Sequence, residues 1–110
     1  MAKDIKEMSQ IARLFAEDVK QVMPIDKAVL FGSYAKNYAT ESSDVDICFF
    51  VKNYNGKQRV ELITELLGIG GKYPDVAFEP LVFESSELQN NNPFVNEILS
   101  TGIELVGSSE

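Results

Sequence analysis

A Gly-Ser pair and two closely spaced aspartates form the pattern of greatest chemical content in this sequence. Gly32 and Ser33 follow an apolar run, and Asp44 and Asp46 come after ten intervening residues. Side chains two positions apart in a strand point to the same face, so the two carboxylates repel each other unless a cation lies between them. A Gly-Ser turn at a helix start presents backbone N–H groups to a phosphate. The combination predicts a metal–nucleotide site.

A third carboxylate comes from a later apolar run, which we expect to form a strand. Asp75 and Glu79 lie four positions apart there, and because an even spacing returns a side chain to the same side of a strand, they share one strand face. If this strand pairs beside the strand of Asp44 and Asp46, three carboxylates and a triphosphate can hold two metal ions that clamp the oxygens of an in-line displacement. The alternative is that Asp44 and Asp46 are ordinary surface residues, facing solvent without a third acid.

Composition narrows the choice of metal, partner and compartment. The chain of 110 residues has no histidine, so any metal must be held by oxygen atoms, and Mg²⁺ or Mn²⁺ is expected. The net charge of −7 argues against binding duplex nucleic acid through a basic surface. Cys48 is the single cysteine, which favours a reducing compartment, so we expect a cytoplasmic protein. No apolar stretch is long enough to span a membrane.

Helical and strand patterns alternate along the chain, which predicts one α/β or α+β domain over residues 1–110. The predicted helices are 4–22, Ser33–Tyr38, Gln58–Leu67, a short one from an N-cap at Ser85 to Gln89, and Pro93–Ser100 before Gly102. The predicted strands are Lys27–Phe31, Asp44–Val51, Asp75–Phe83 and an edge strand Ile103–Val106. Loops or turns are predicted at 40–43, 52–57 and 68–74. The second long helix is expected to bury Val60, Ile63 and Leu67.

The spacing of the Gly-Ser pair and the aspartates resembles the signature of nucleotidyltransferases with the DNA polymerase beta fold, and above all of the minimal nucleotidyltransferases. Phe31 before the glycine, the Ala35-Lys36 pair and Ser43 agree with it, and the resemblance extends over about half the chain, from Ala28 to Phe83. It implies a nucleotidyltransferase fold of the α+β (α/β-like) class, with a small mixed β-sheet flanked by helices.

The resemblance also implies a role for each motif residue. Asp44 and Asp46 match catalytic metal ligands. Asp75 matches the third catalytic acid and metal ligand, because it stands five residues ahead of a proline, and Glu79 is the alternative metal ligand. The expected contacts to the nucleotide phosphates are Gly32, Ser33 and Lys36, although Lys36 could equally be a solvated surface residue.

The activity implied is the Mg²⁺-dependent transfer of a nucleoside monophosphate from an NTP, with ATP favoured, to an acceptor hydroxyl with release of pyrophosphate. A chain this small has little room for an acceptor-binding domain, so we expect a homodimer or a complex with a small helical protein of the HEPN type, as in a toxin–antitoxin pair. The alternatives are a non-catalytic antitoxin that neutralises its partner by occlusion, and a transferase that modifies a small molecule such as an antibiotic.

Overall fold

The computed structural model of the chain describes residues 5–32, 35, 44–52, 59–74 and 76–107. Its elements in chain order are α1 (Ile5–Val22), β1 (Ile25–Phe31), β2 (Val45–Val51), α2 (Arg59–Gly70), β3 (Phe78–Glu84), a 3₁₀-helix (Ser85–Gln89), α3 (Pro93–Thr101) and β4 (Ile103–Val106). The predicted helix at 33–38, apart from Ala35, the loop at 40–43 and the turn after Lys52 lie outside the described residues.

The four strands form one mixed sheet in the order β3-β2-β1-β4. β1 runs antiparallel to β2 and to β4, whereas β2 and β3 run parallel. The predicted mixed sheet is therefore confirmed, as is the short edge strand Ile103–Val106. β3 forms the other edge, which accommodates Pro80 because an edge strand can lack one backbone donor.

Helices cover both faces of the sheet. α1 and α2 pack on one face around Phe15, whose ring is stacked on Phe78 at 4.2 Å and meets Phe49 edge-on at 5.7 Å. α3 and the 3₁₀-helix pack on the other face, against Cys48 and Phe50. A central strand covered on both sides is apolar on both faces, which is why β2 reads as a nearly continuous apolar run after its aspartates. None of the described helices combines the length and the apolar character needed to cross a lipid bilayer.

The first and last helices follow their sequence signals. α1 buries the apolar positions that recur every three or four residues, Met8, Ala12, Phe15 and Val19. α3 is capped by Asn92, whose side-chain oxygen accepts hydrogen bonds from the backbone N–H groups of Phe94 (2.9 Å) and Val95 (3.3 Å). Gly102 ends α3 as predicted. Val22 deviates from the pattern, because it is exposed while Met23 beyond the helix is buried in its place.

The predicted buried face of α2 is wrong. Leu62 and Leu66 are buried, whereas Val60 and Leu67 are 72% and 53% exposed. Ile63 lies between the two sets, partly buried at the edge of the core. α2 is apolar on more than one side, so its periodicity is compatible with two orientations, and packing against α1 and β3 selects one of them. A second apolar stripe is thereby left facing outward.

Three predicted boundaries are also corrected. α2 continues through the predicted loop as far as Gly70. β3 begins at Phe78 rather than at residue 75, so Ala77 precedes the strand, and the even spacing of residues 75 and 79 does not by itself place both on one strand face. The cap of the short helix is Glu84, not Ser85, because the Glu84 carboxylate accepts the backbone N–H of Ser86 at 3.0 Å.

Candidate active site

Three carboxylates lie at the end of the sheet where β2 and β3 begin. Asp44 precedes β2 and is exposed, and Asp46 is half-buried within it. Because β2 and β3 are parallel, they begin at the same end of the sheet, and their register places Glu79 directly beside Asp46. The Val45 N–H donates to the Ala77 carbonyl at 2.8 Å, which holds the chain before β3 against the start of β2.

The proximity of these acids changes the protonation of Asp46. Its pKa is raised from 3.8 to about 6, first by burial, then by a hydrogen bond and charge repulsion with Glu79, and last by the charge of Asp44. A hydrogen bond between two carboxyl groups requires one of them to carry a proton. A pair this close carries two negative charges only at an energetic cost, which a bound cation relieves.

Gly32 contacts the same carboxylate from the other side of β2. The last residue of β1, Phe31, pairs with Asp46, and Gly32 follows it with φ of +78°, in the left-handed region that favours glycine. A Cβ atom at this position would overlap the Asp46 carboxylate, with the carboxyl carbon only 3.1 Å away. The glycine therefore lets the backbone turn close against the acid, so the expected phosphate-binding turn and the acids meet although they are far apart in sequence.

A groove of about 400 Å³ opens beside the acids, on the side of β3. Asp44 and Glu79 line one part of it, and Ile63, Leu67, Phe78 and Pro80 form an apolar wall. We call it the α2–β3 groove. Its lining was not predicted from the sequence, since Ile63 and Leu67 were assigned to the core. The apolar residues on several sides of α2 are the sequence signal that could have indicated that some of them line a groove.

Comparison with known proteins identifies the family. Residues 10–110 match the family model described as "Polymerase beta, Nucleotidyltransferase". The chain belongs to this family. It is a nucleotidyltransferase, with the mixed α/β fold that the acid motif led us to expect.

Two proteins of Methanocaldococcus jannaschii are similar to this nucleotidyltransferase. "Putative protein adenylyltransferase MJ0141" is 25% identical over 101 residues, which cover 90% of this chain and 99% of that protein. "Putative protein adenylyltransferase MJ0126" is 38% identical over 45 residues, covering 41% of this chain and 46% of that protein. The first similarity extends over nearly the whole of both chains.

Two solved structures share the fold. A structure titled "Crystal structure of a putative nucleotidyltransferase from Sulfolobus solfataricus at 1.40 A resolution" has a TM-score of 0.53 at 21% identity, covering 81% of this chain and 82% of the other. A structure titled as a toxin–antitoxin with AMP-PNP has a TM-score of 0.55 at 17% identity, covering 88% of this chain and 74% of the other. At these identities the likeness establishes the common fold.

The acids of the nucleotidyltransferase fit a divalent cation by the chemistry of their donors. Carboxylate oxygens are the ligands that Mg²⁺ and Mn²⁺ prefer, and Asp44, Asp46 and Glu79 supply them at one end of the sheet. Within the part of the chain that the structure describes, no three acidic, histidine or cysteine side chains converge tightly enough to form a complete metal site. By its chemistry, the donor set fits the metal.

Three of the predicted site residues, Ser33, Lys36 and Asp75, lie outside the described residues. The assignments of Ser33 and Lys36 to phosphate binding and of Asp75 to metal binding therefore stay predictions. The same holds for the choice between Asp75 and Glu79 as third acid, although the register places Glu79 beside Asp46.

A hydrogen bond between α1 and the segment before β3 holds this side of the site. The Tyr73 hydroxyl donates to the Asp18 carboxylate at 2.6 Å, and the Tyr73 ring meets Phe15 and Phe78 edge-on. Burial first, and then Asp18, raises the pKa of Tyr73 to about 12, so the hydroxyl keeps its proton and stays a donor at neutral pH. The start of β3, and with it Glu79, is thus tied to the long helix.

Proposed function

We propose that this nucleotidyltransferase transfers AMP from ATP to a hydroxyl group on a partner protein, with Mg²⁺ or Mn²⁺ bound by its clustered acids. The observation that carries the proposal is the meeting of three elements at one end of the sheet: the Gly32 turn, Asp46 and Glu79. The names of the two archaeal relatives as protein adenylyltransferases support a protein acceptor. AMP-PNP in the structural neighbour supports an adenine nucleotide.

The transfer is an in-line displacement at the α-phosphate. The acceptor oxygen forms a bond to the α-phosphorus, the bond from that phosphorus to the bridging oxygen of the β-phosphate breaks, and pyrophosphate leaves with the bonding electrons. The hydroxyl proton passes to a carboxylate of the cluster or to solvent. Asp44, Asp46 and either Asp75 or Glu79 would hold the metal, which offsets phosphate charge when bound. The Gly32 turn, with Ser33 and Lys36, would bind the departing phosphates through N–H groups and positive charge.

The partner that we propose is a small helical protein of the HEPN type, with this chain as the antitoxin. The support is the shared fold with a structure titled as a toxin–antitoxin. A homodimer in which one copy positions the acceptor for the other is the second arrangement. Either would supply the acceptor positioning that accounts for much of the rate of such a reaction.

Calorimetry tests the metal–nucleotide site. ATP is titrated into the protein with Mg²⁺ and again with excess chelator, and we expect ATP to bind much more tightly with the metal. Equal affinity in the two titrations would contradict the proposal. The variants Asp44→Asn and Asp46→Asn should each abolish transfer of labelled AMP. Comparison of Asp75→Asn with Glu79→Gln then identifies the third acid by which of them is inactive.

Co-purification from the native host, followed by labelling with radioactive ATP, tests the partner. We expect a small helical protein that receives AMP on a hydroxyl side chain. A partner that is neutralised equally well by the Asp44→Asn and Asp46→Asn variants would indicate neutralisation by occlusion. Rapid transfer to an antibiotic by a lone monomer would indicate a small-molecule enzyme instead.

A further inference from the structure

The sheet face that carries the acids continues into a partly open apolar strip along β3. Side chains alternate along a strand, so Glu79, Leu81 and Phe83 share one face, and Leu81 and Phe83 pack with the core on the α3 side. The helices on that side chiefly contact β1 and β2, and Leu81 and Phe83 are only partly buried. The strip therefore runs from Glu79, which lies beside Asp46, to Phe83 near the end of the strand.

A cation and a second aromatic ring lie at the far end of this strip. The guanidinium carbon of Arg59, the first residue of α2, is 5.5 Å from the centre of the Phe83 ring. The Phe94 ring, at the start of α3, lies 6.1 Å from the Phe83 ring, and Phe94 is 51% exposed. Burial raises the pKa of Cys48 to about 12, and the charge of Arg59 acts against that rise, which agrees with a guanidinium on the α3 side of the sheet. We call Arg59, Phe83 and Phe94 the aromatic platform.

Within the residues that the structure describes, the Arg59 guanidinium takes part in no ion pair, and its contact is the Phe83 ring. Lys27, Lys52 and Lys72, by contrast, each pair with a carboxylate. A guanidinium is flat and stacks on aromatic rings, while its N–H groups stay free to donate hydrogen bonds. The platform therefore suits a flat aromatic ligand that carries hydrogen-bond acceptors, and a purine base has both properties.

The direction of the displacement brings a nucleoside toward the platform. The leaving group and the attacking hydroxyl lie on opposite sides of the phosphorus. Gly32 and Glu79 contact Asp46 from β1 and β3, so this line crosses the strands if pyrophosphate leaves toward the Gly32 turn, as proposed above. The nucleoside oxygen stands at about a right angle to that line, and one such direction follows β3. Phe83 is four residues beyond Glu79, about 13 Å at roughly 3.3 Å per residue, which the ribose and base of a nucleotide held at the acids can span.

We infer that the aromatic platform binds the purine base of the nucleotide substrate, with the ribose over Leu81. This inference rests on the proposed function and deepens it, because it assigns the residues that select the base. The base stacks on the Phe94 ring and the Arg59 guanidinium, and the Arg59 N–H groups donate to the purine ring nitrogens. A purine covers more of the platform than a pyrimidine does, so ATP should bind more tightly than CTP.

Two substitutions remove contacts of the platform, and each has a matched control. Arg59→Gln removes the charge of the guanidinium, and Lys20→Gln removes one positive charge from an exposed position on α1. Phe94→Ala truncates the exposed ring, and Leu99→Ala truncates an exposed leucine on the same helix. Circular dichroism and urea unfolding establish that each variant remains folded.

Calorimetry in the presence of Mg²⁺ measures the Kd of three probes: a non-hydrolysable ATP analogue, the corresponding CTP analogue, and inorganic tripolyphosphate, which has phosphates but no base. The ionic strength is about 0.15 M, where charges more than about 8 Å apart are largely screened. We expect the wild type to prefer the ATP analogue to the CTP analogue. Arg59→Gln and Phe94→Ala should each raise the Kd of the ATP analogue by roughly tenfold, as expected for losing one stacking contact with a base, and leave that of tripolyphosphate unchanged. The two controls should bind all three probes as the wild type does.

Three outcomes would overturn the inference. They are equal affinity of the wild type for the ATP and CTP analogues, unchanged affinity of either platform variant for the ATP analogue, and an equal loss of tripolyphosphate and ATP-analogue binding in those variants. Failure of the proposed function is recognised separately, because the wild type would then bind neither the ATP analogue nor tripolyphosphate in a metal-dependent manner.

Discussion

Replacement of Asp46 by asparagine should stabilise the fold while destroying the activity. The Asp46 pKa rises from 3.8 to about 6 in the folded protein, so the folded state binds this proton more tightly than the unfolded chain does. The resulting stabilisation is fully present below about pH 3.8 and is lost as the pH rises through about 6. At neutral pH the folded wild type therefore carries an ionised group in an unfavourable position, whereas the asparagine of the variant would be neutral and could still hydrogen-bond to Glu79.

The size of the stabilisation by Asp46→Asn follows from the difference between the two pKa values of Asp46. A rise from 3.8 to about 6 corresponds to at most about 3 kcal/mol in the free energy of unfolding. Asp46 is only half-buried, and solvent screening reduces the expected gain to about 1 kcal/mol. The gain of Asp46→Asn over wild type should be complete above about pH 7 and should disappear below about pH 4.

Urea unfolding in the presence of chelator, at a series of pH values, measures the difference between the two proteins. Asp26→Asn is the control. Asp26 lies on β1, away from the acids, and its carboxylate pairs with the Lys52 ammonium group at 3.3 Å. Loss of this partly exposed ion pair should lower the free energy of unfolding by no more than about 0.5 kcal/mol. An Asp46→Asn protein that is less stable than wild type at neutral pH, or whose advantage is independent of pH, would refute the reasoning.

Three further predictions concern the surroundings of the acids. Gly32→Val should lower the free energy of unfolding by about 2 kcal/mol in urea titrations, because the left-handed φ disfavours valine and its Cβ would meet Asp46. The same change should weaken ATP binding in calorimetry, and an unchanged ATP affinity would show that the turn does not bind phosphate. In urea titrations, Leu66→Ala should destabilise the fold by about 2–4 kcal/mol and Leu67→Ala by less than about 1 kcal/mol, because Leu66 is buried and Leu67 is exposed. Similar losses of stability in the two variants would contradict the buried face that the structure assigns to α2. Tyr73→Phe should cost about 1 kcal/mol by removing the hydrogen bond to Asp18, and a thermal melt that matches wild type would contradict that role.

Most element identities could be predicted because they depend on local pattern. The apolar spacing of α1, the Asn92-Pro93 start and Gly102 end of α3, and the apolar run of β2 are each encoded within a few neighbouring residues. α2 was predicted as a helix but with the wrong buried face. A helix with apolar residues on several sides has no unique inward face until its neighbours are in place.

For the candidate site too, the features that depend on local pattern could be predicted and the others could not. The motif of Gly32, Asp44 and Asp46 was recognisable because its spacing is a local property of the chain, and the alternation of side chains in a strand predicted that the two acids share one face. The start of β3 could not be predicted to the residue, since the apolar and acidic residues around it suit a strand beginning at 75 as well as one beginning at 78.

By itself, the sequence determined the kind of chemistry: a Gly-Ser pair and paired aspartates, in a chain without histidine whose carboxylates suit a metal that prefers oxygen ligands. Only the tertiary structure decided which groups stand together. It placed Glu79 and Gly32 beside the Asp46 carboxylate, and it left Leu67 exposed and Ile63 partly buried in the wall of a groove. The physical reason is that strand register and helix orientation are set by contacts between residues distant in the chain, whose energies no local pattern records.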